Sequence, residues 1–414
     1  MSKIKNCSRC LYDETHPLKI IINDDGICSG CKIHEEKNTL DWESRWNDLE
    51  KLVKPYKSIN GKNYDCIVPV TGANDSYYIL HIVKEKLGMN PLIVTYNKYY
   101  NTSLGIRNLA NLRIKFDCDI LIQNISPISV KRITRASLRE FGSIYWHCLA
   151  GQSVFPVQTA VRYKIPLIIW GAHQGIEQVG MFSHLNNVEM TRRYRKDHDL
   201  MGFEADDILS YFDNLGEEDI WQYRYPEDSK IRDIGIKGIY LGNYVRWDSR
   251  AQHEQMIEMY DYKTSNFSRS FDNYDHVDCF NYLDLHDKLK FYKHGYSKVL
   301  DHASREIRFG RLSRAQAKNL VKWHQAQPIN YLDYFCKWLG VNKKSLQFII
   351  DQHRNPLFWS QDEPGKWNYK ESRPEFKNIK SINNNLEYKN TYTNNSELEC
   401  DKIDGYITVG KGVY

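Results

Sequence analysis

Residues 64–76 read YDCIVPVTGANDS: a short apolar run, then a glycine-containing turn bounded by Thr71 and Ser76. Tyr64 to Val70 has the length and β-branched content of a buried strand, and the segment after Ser76 runs on as a helix to near Gly88. Pro69 cannot donate to a ladder, so it is expected where the strand ends. The same alternation continues downstream. Strands are predicted at 91–96, 119–123 and 165–170, with helices at 103–116, around 127–141 and near 151–163. Apolar runs alternating with helices specify a parallel sheet covered on both faces.

Outward from this centre the pattern changes. Residues 41–56 predict an amphipathic helix, with Trp42, Trp46, Leu49 and Val53 near one face and Asp41 as its cap. Residues 172–235 are less regular, and about 252 to 355 is helical and polar. The Asn- and Lys-rich stretch from Ser360 is expected to be partly loop. The resulting organisation is a metal-binding knuckle at 1–36, a linking helix at 37–60, an α/β domain at 61–250, a helical region at 251–360 and an irregular tail at 361–414. A net charge of +5 on 414 residues is too slight to imply a nucleic-acid partner. No apolar run approaches the roughly 20 residues that span a bilayer, and the N-terminus lacks the apolar core of a secretory signal. A cytoplasmic protein with no membrane partner is expected.

Three motifs carry chemistry. Cys7, Cys10, Cys28 and Cys31 form two C-x2-C pairs, a spacing that points four thiolates at one structural zinc ion; an iron–sulfur cluster is the rival. The segment has little core of its own, so metal binding would supply folding energy. The turn Val70-Thr-Gly-Ala-Asn-Asp-Ser76 can surround an anion with backbone N–H groups, with Asp75 placed to meet a phosphate-bound Mg²⁺ or orient the loop. Such turns also occur for purely structural reasons. Third, Arg305, Arg308 and Arg311 recur every three residues, which on one helix places them on one side. They are either a solvated basic face or forks for carboxylates and phosphates.

These residues resemble the PP-loop pyrophosphatases (a HUP-like α/β fold), whose loop usually reads Ser-Gly-Gly-Lys-Asp-Ser. More narrowly the chain is similar to the N-acetyl sugar amidotransferases of bacterial surface-glycan biosynthesis. The likeness spans the double Cys pair, LDWESRW, YDCIVPVTGANDS, GMNPLIVTYN, NTSLGIRNLANLR, KIPLIIWG, YKTSNFSRSF and DHASREIRFGRLSRAQA. Thr71, Ala73 and Asn74 depart from the family loop, and Ala172-His173 follows Trp170-Gly171 where relatives often carry an acidic residue. The resemblance implies that Val70, Thr71, Gly72, Ala73, Asn74, Asp75, Ser76, Tyr96, Asn97, Trp170 and Gly171 hold ATP and Mg²⁺. Asp75 and Ser76 would act in catalysis, and His302, Arg305, Arg308 and Arg311 would bind an anionic sugar.

The implied reaction turns an acetamido group into an acetamidino group. The amide oxygen attacks the α-phosphate of ATP, and ammonia then displaces AMP from the adenylated imidate. The sugar would be a nonulosonic acid (legionaminic or pseudaminic, for flagellin glycosylation) or a lipopolysaccharide N-acetylhexosamine. At pH 7 free ammonia is mostly ammonium, so a source of neutral ammonia is needed. The resemblance implies a separate glutaminase and a cyclase-like channel subunit as partners. Two other readings remain: a catalytically degenerate nucleotide-binding subunit of a glycan-assembly complex, and a PP-loop tRNA thiolase using Cys118 or Cys148.

Overall fold

The computed structural model of the protein describes residues 4–58, 60–73, 75–211, 214–370 and Phe376. Its centre is a five-stranded parallel sheet in the order β3-β2-β1-β4-β5. The strands are β1 (Cys66–Pro69), β2 (Pro91–Tyr96), β3 (Ile120–Gln123), β4 (Leu167–Trp170) and β5 (Lys237–Tyr240). In β1, Cys66, Ile67 and Val68 are buried, as a strand covered on both faces requires. Pro69 ends it, and the ladder closes one residue later where the Val70 N–H donates to the Val94 carbonyl at 2.9 Å.

The helices are α1 (Ser29–Glu36), α2 (Trp42–Val53), α3 (Ser76–Leu80), α4 (Ser103–Lys115), α5 (Pro127–Phe141), α6 (Trp146–Tyr163) and α7 (Gln174–Glu177), followed by the helices of the C-terminal half. Asp41 caps α2 as expected, its carboxylate accepting from the Ser44 N–H at 3.0 Å. One face of the sheet packs on α2, α3 and α4 through Leu49, Val53, Leu80 and Leu112. The other packs on α6 through Phe155, Val157 and Ala160. Helix α6 begins at Trp146, five residues before the expected start, and continues through Pro156.

Strand β5 escaped the sequence reading. It is four residues long and contains Lys237 and Gly238, so it shows no periodicity. Gly238 is required by close approach: a Cβ there would press on the Met190 side chain, whose own N–H donates to the Gly238 carbonyl at 2.9 Å. The last described stretch is also more ordered than expected, since Trp359–Gln361 pairs antiparallel with Trp367–Tyr369. Arg354 lies 3.8 Å from the Tyr292 ring centre and 4.2 Å from that of Trp359. Of the tail beyond Lys370, only Phe376 is among the described residues, and it joins the buried cluster of the knuckle.

The knuckle is embedded rather than appended. Its cysteines, with Leu11, Tyr12 and Ile20, share a buried cluster with Val299, Leu300, Ala303, Leu320 and Val321 of the C-terminal helices. Polar clasps reinforce the seam: the Tyr12 hydroxyl donates to Asp301 at 2.8 Å, and Arg314 donates to the Cys7 carbonyl at 2.8 Å. At the other edge Ser29 donates to the Val179 carbonyl at 2.7 Å, and the buried Lys37 pairs with Glu177.

Three backbones stack beside the loop after β1. A Cβ on Gly72 would collide with the carbonyl of Gly105, and a Cβ on Gly105 would collide with the backbone of Asp278. Neither glycine has a positive φ, so close packing explains them. Gly105→Ala should therefore lower stability by about 1–3 kcal/mol, read as a shift of the urea midpoint at unchanged slope.

Candidate functional site

The C-terminal ends of β1, β2, β4 and β5 open into a cavity of about 390 Å³. It lies where the strand order reverses between β1 and β4, the position at which open α/β sheets bind ligands. The loop supplies Thr71, Asp75 and Ser76 on one side, and the helix Lys298–Arg308 supplies His302, Arg305 and Arg308 on another. Tyr12 and His34 of the knuckle complete the rim.

The loop is braced internally. The Thr71 N–H donates to Ser76 Oγ at 2.9 Å, and the Thr71 hydroxyl is tied to the backbone of Ala73. Ala73 is fully buried and Asn74 lies outside the described residues. Asp75 accepts from the Ala172 N–H at 3.3 Å across the top of the sheet. Gly171 makes this possible, because a Cβ there would strike the Asp75 carboxylate. Lost hydration pushes the Asp75 carboxyl up, against the Ala172 N–H and His253, which stabilise its charge. An enclosed carboxylate with that bias is suited to meet a cation.

Gly72 faces Gly105 and a small side pocket containing Lys98 and Asp278. Tyr96 lines the main cavity, while its hydroxyl bonds to His147 Nδ1 at 3.0 Å and to Tyr223 at 2.7 Å. Asn97 instead turns the chain after β2, donating to Asn124 and accepting from Tyr99 and Asn101. Val70, Trp170 and Gly171 line the cavity.

The three arginines do not form one face of one helix. The helix ends at Arg308, and the chain reverses through Gly310 at φ 71° before Arg311. Arg311 is thereby carried to Asp248 and Glu306, with contacts of 2.6–3.1 Å, and does not line the cavity. Arg305 lines it but is held by Asp272, by Asp275 at 3.4 Å and by Glu306 at 2.8 Å. Arg308 donates to the Gln178 carbonyl at 2.7 Å, and its guanidinium reaches Cys28 Sγ at 3.8 Å and Cys10 Sγ at 3.9 Å. His302 is buried; its Nδ1 meets Ser270 Oγ at 2.7 Å, and its Nε2 lies 3.8 Å from Asp275.

The four knuckle cysteines are buried with their sulfurs within 4.8 Å of one another. Cys7 and Cys31 sulfurs are 4.0 Å apart, and those of Cys10 and Cys28 3.5 Å. A tetrahedral site with bonds of about 2.3 Å has sulfur–sulfur edges of about 3.8 Å, so the donor set fits zinc. Neighbouring thiols, Cys10 foremost, pull the Cys7 thiol far below its usual range, while burial pushes that of Cys10 up. Four thiolates here need a cation.

Sequence reasoning missed the wall formed by His173, Tyr194, Arg195, His198 and Tyr240. These residues come from the irregular stretch after β4 and from unrecognised β5. The local run TRRYRKDH (191–198) was the available signal.

Two outcomes are expected. Mass spectrometry under native conditions should find one zinc ion per chain, absent from Cys28→Ser. Chelation should lower the melting temperature, and metal should be released as falling pH protonates the thiolates. Arg305→Met should cost about 3–5 kcal/mol by leaving Asp272 buried without its cation, while Glu306 keeps Arg311. Burial works to raise the Asp272 carboxyl, but Arg305 and then His302 hold it well below its usual range. Its stabilisation is complete above pH of about 4 and disappears as pH falls, so the acid side of the melting-temperature profile should flatten in Arg305→Met.

Comparison with known proteins adds a direction. Residues 262–373, which contain Asp272, Asp275 and His302 together with Arg305 and Arg308, match the family model described as LPS biosynthesis protein WbpG-like, C-terminal domain. An uncharacterized protein of Methanocaldococcus jannaschii is 32% identical over 120 residues, covering 28% of this chain and 42% of that protein. The chain thus spans less than half the length of that curated relative. Among the described residues no helix is long and apolar enough to cross a membrane. The matched domain fits a protein of lipopolysaccharide or sugar biosynthesis.

Proposed function

We propose that the protein is a cytoplasmic ATP-dependent amidotransferase that converts an acetamido group of a bacterial surface-glycan sugar into an acetamidino group. The observation that carries this reading is the shared cavity: the loop Thr71–Ser76 and the helix of the lipopolysaccharide-biosynthesis domain face one space at the switch point of the sheet. Its volume of about 390 Å³ is in the range of small-molecule sites.

The residues present fit a nucleotide and its metal ion. Thr71 and Ser76 carry hydroxyls at the cavity wall, and Asp75 offers an enclosed carboxylate for Mg²⁺. Bound ATP supplies the leaving group that an amide oxygen lacks. The chain's own part is to orient the acetamido oxygen, exclude water and manage the proton of the incoming amine. Asp275 stands 3.6 Å from His253 and 3.8 Å from His302. Burial lowers the His302 pKa, so it is neutral at pH 7 and can share with Asp275 the proton that ammonia sheds on addition.

Neutral ammonia would come from a separate glutaminase through a cyclase-like channel subunit. The cysteines support an external source. Cys66, Cys118, Cys148, Cys279 and Cys336 are all buried, and lost hydration raises each thiol. None of these suits the activated thiolate of a glutaminase or of a tRNA thiolase. The reading as a degenerate nucleotide-binding subunit draws on one observation, the closure of the loop on its own Ser76 and Ala73.

Mass spectrometry of Mg²⁺-ATP, ammonium salt and N-acetylated sugars incubated with the protein decides between them. AMP together with a sugar in which NH has replaced oxygen is the expected result, and Asp75→Asn should slow it by about 100-fold or more. ATP binding with no turnover, even with glutaminase and channel partners present, would favour the degenerate subunit. Full activity of the purified chain with glutamine alone would remove the need for partners.

A further inference from the structure

In the arginine run beside the knuckle, Arg305 and Arg311 are held by carboxylates and Arg308 leaves its Nε without a partner, whereas the opposite wall of the cavity holds a larger set of buried polar atoms with no partners. Arg195 is 8% exposed. Its Nη1 pairs with Asp199, and its guanidinium lies 4.0 Å from the Trp170 ring centre. Its Nε and Nη2 have no hydrogen-bond partner. These two nitrogens form the side edge of the guanidinium, the edge that takes both oxygens of a carboxylate in parallel. Around it, both ring nitrogens of His173 (2% exposed), Trp170 Nε1 and His198 Nε2 also lack partners. Each buried polar group left unmade carries a penalty, and a cluster of them on one cavity wall indicates a ligand that completes them.

We propose that Arg195, stacked on Trp170 and flanked by His173 and His198, is the subsite that takes the substrate's carboxylate, in place of the arginines of the helix Lys298–Arg308. The proposal rests on the amidotransferase reading for the reaction, but its own content is recognition. Three features favour a carboxylate over a diphosphate. Asp199 takes Nη1 and leaves a single two-nitrogen edge of Arg195, which matches one planar bidentate anion rather than a chain of phosphates. Burial holds His173 at a pKa of about 4, so at neutral pH it is an uncharged donor and acceptor. The remaining wall is aromatic, Trp170 and Tyr240, which suits the C–H face of a pyranose ring better than a string of phosphates. Trp170 directly precedes Gly171, which packs on Asp75, so the subsite adjoins the loop.

The test is equilibrium binding by calorimetry of N-acetylneuraminate, its methyl ester and a nucleotide-diphosphate N-acetylhexosamine to the wild-type protein, Arg195→Lys, Arg195→Met and Asp75→Asn. The wild type should bind the acid at least tenfold more tightly than the ester. Arg195→Lys keeps the charge facing Asp199 but loses the fork, and it should lose the preference. Arg195→Met should do the same, with circular dichroism confirming its fold. Asp75→Asn should keep the preference. Equal affinity of the wild type for acid and ester, persistence of the preference in Arg195→Lys, or tighter binding of the nucleotide sugar would overturn the proposal. The two readings separate cleanly. Acid preference without AMP formation removes the amidotransferase and leaves the subsite, whereas equal turnover of acid and ester removes the subsite and leaves the amidotransferase.

Discussion

The cavity depends on one cation, Arg308. Its guanidinium lies 5.2 Å from the Tyr12 ring centre, within 3.9 Å of two knuckle sulfurs, and donates to the backbone of Gln178 after α7. Three parts of the chain therefore meet at a single buried side chain. A zinc ion among four thiolates carries a net charge of −2, and a buried charge of that size requires a counter-charge nearby. With zinc bound, Arg308 would supply half of it and be fixed by the same contact. Gly30 fits this arrangement because a Cβ at that position would collide with the Arg308 side chain and the Gln178 carbonyl.

Other cations follow the same logic of fixed pairing. Arg269, fully buried, holds Asp287 and the carbonyls of Gln325 and Gln327 at the end of the helix Arg314–Ala326. Arg305 and Arg311 share Glu306, itself wholly buried, and bring in Asp272 and Asp248. The helical region is thus an ion-pair scaffold, rigid by electrostatics and by packing. Arg195 stands apart by its place: it lines the cavity with two nitrogens unpaired while its plane lies on the Trp170 indole.

How much of this was legible in the sequence follows from how local each determinant is. The strand at 66–69, its proline end, the Asp41 cap and helices α4 and α5 were legible because their signals lie within a few residues. The four-cysteine cluster was legible because spacing alone fixes it. The short strand Lys237–Tyr240 was not, since its place is decided by pairing with β4 and by the approach of Met190. The fate of Arg311 turned on a left-handed Gly310 that spacing does not reveal. Gly72 looked like a phosphate-facing residue, but it is explained by a backbone contact with Gly105, distant in the chain. His173 and Arg195 come from a stretch without periodicity, so nothing local marks them as neighbours across an aromatic wall.

The embedding of the knuckle also fixes an order of events during synthesis. The cysteines lie at positions 7–31, but most of their covering comes from residues 296–321, more than 260 residues later, and Arg314 bonds to Cys7 across 307 residues of chain. A ribosome adding about 5–20 residues per second leaves the thiols without that cover for many seconds. During that interval capture of a metal ion would shield them, because the four sulfurs come from one short stretch of chain. The last helices would then close over the knuckle, and the cavity would be among the final features of the molecule to form.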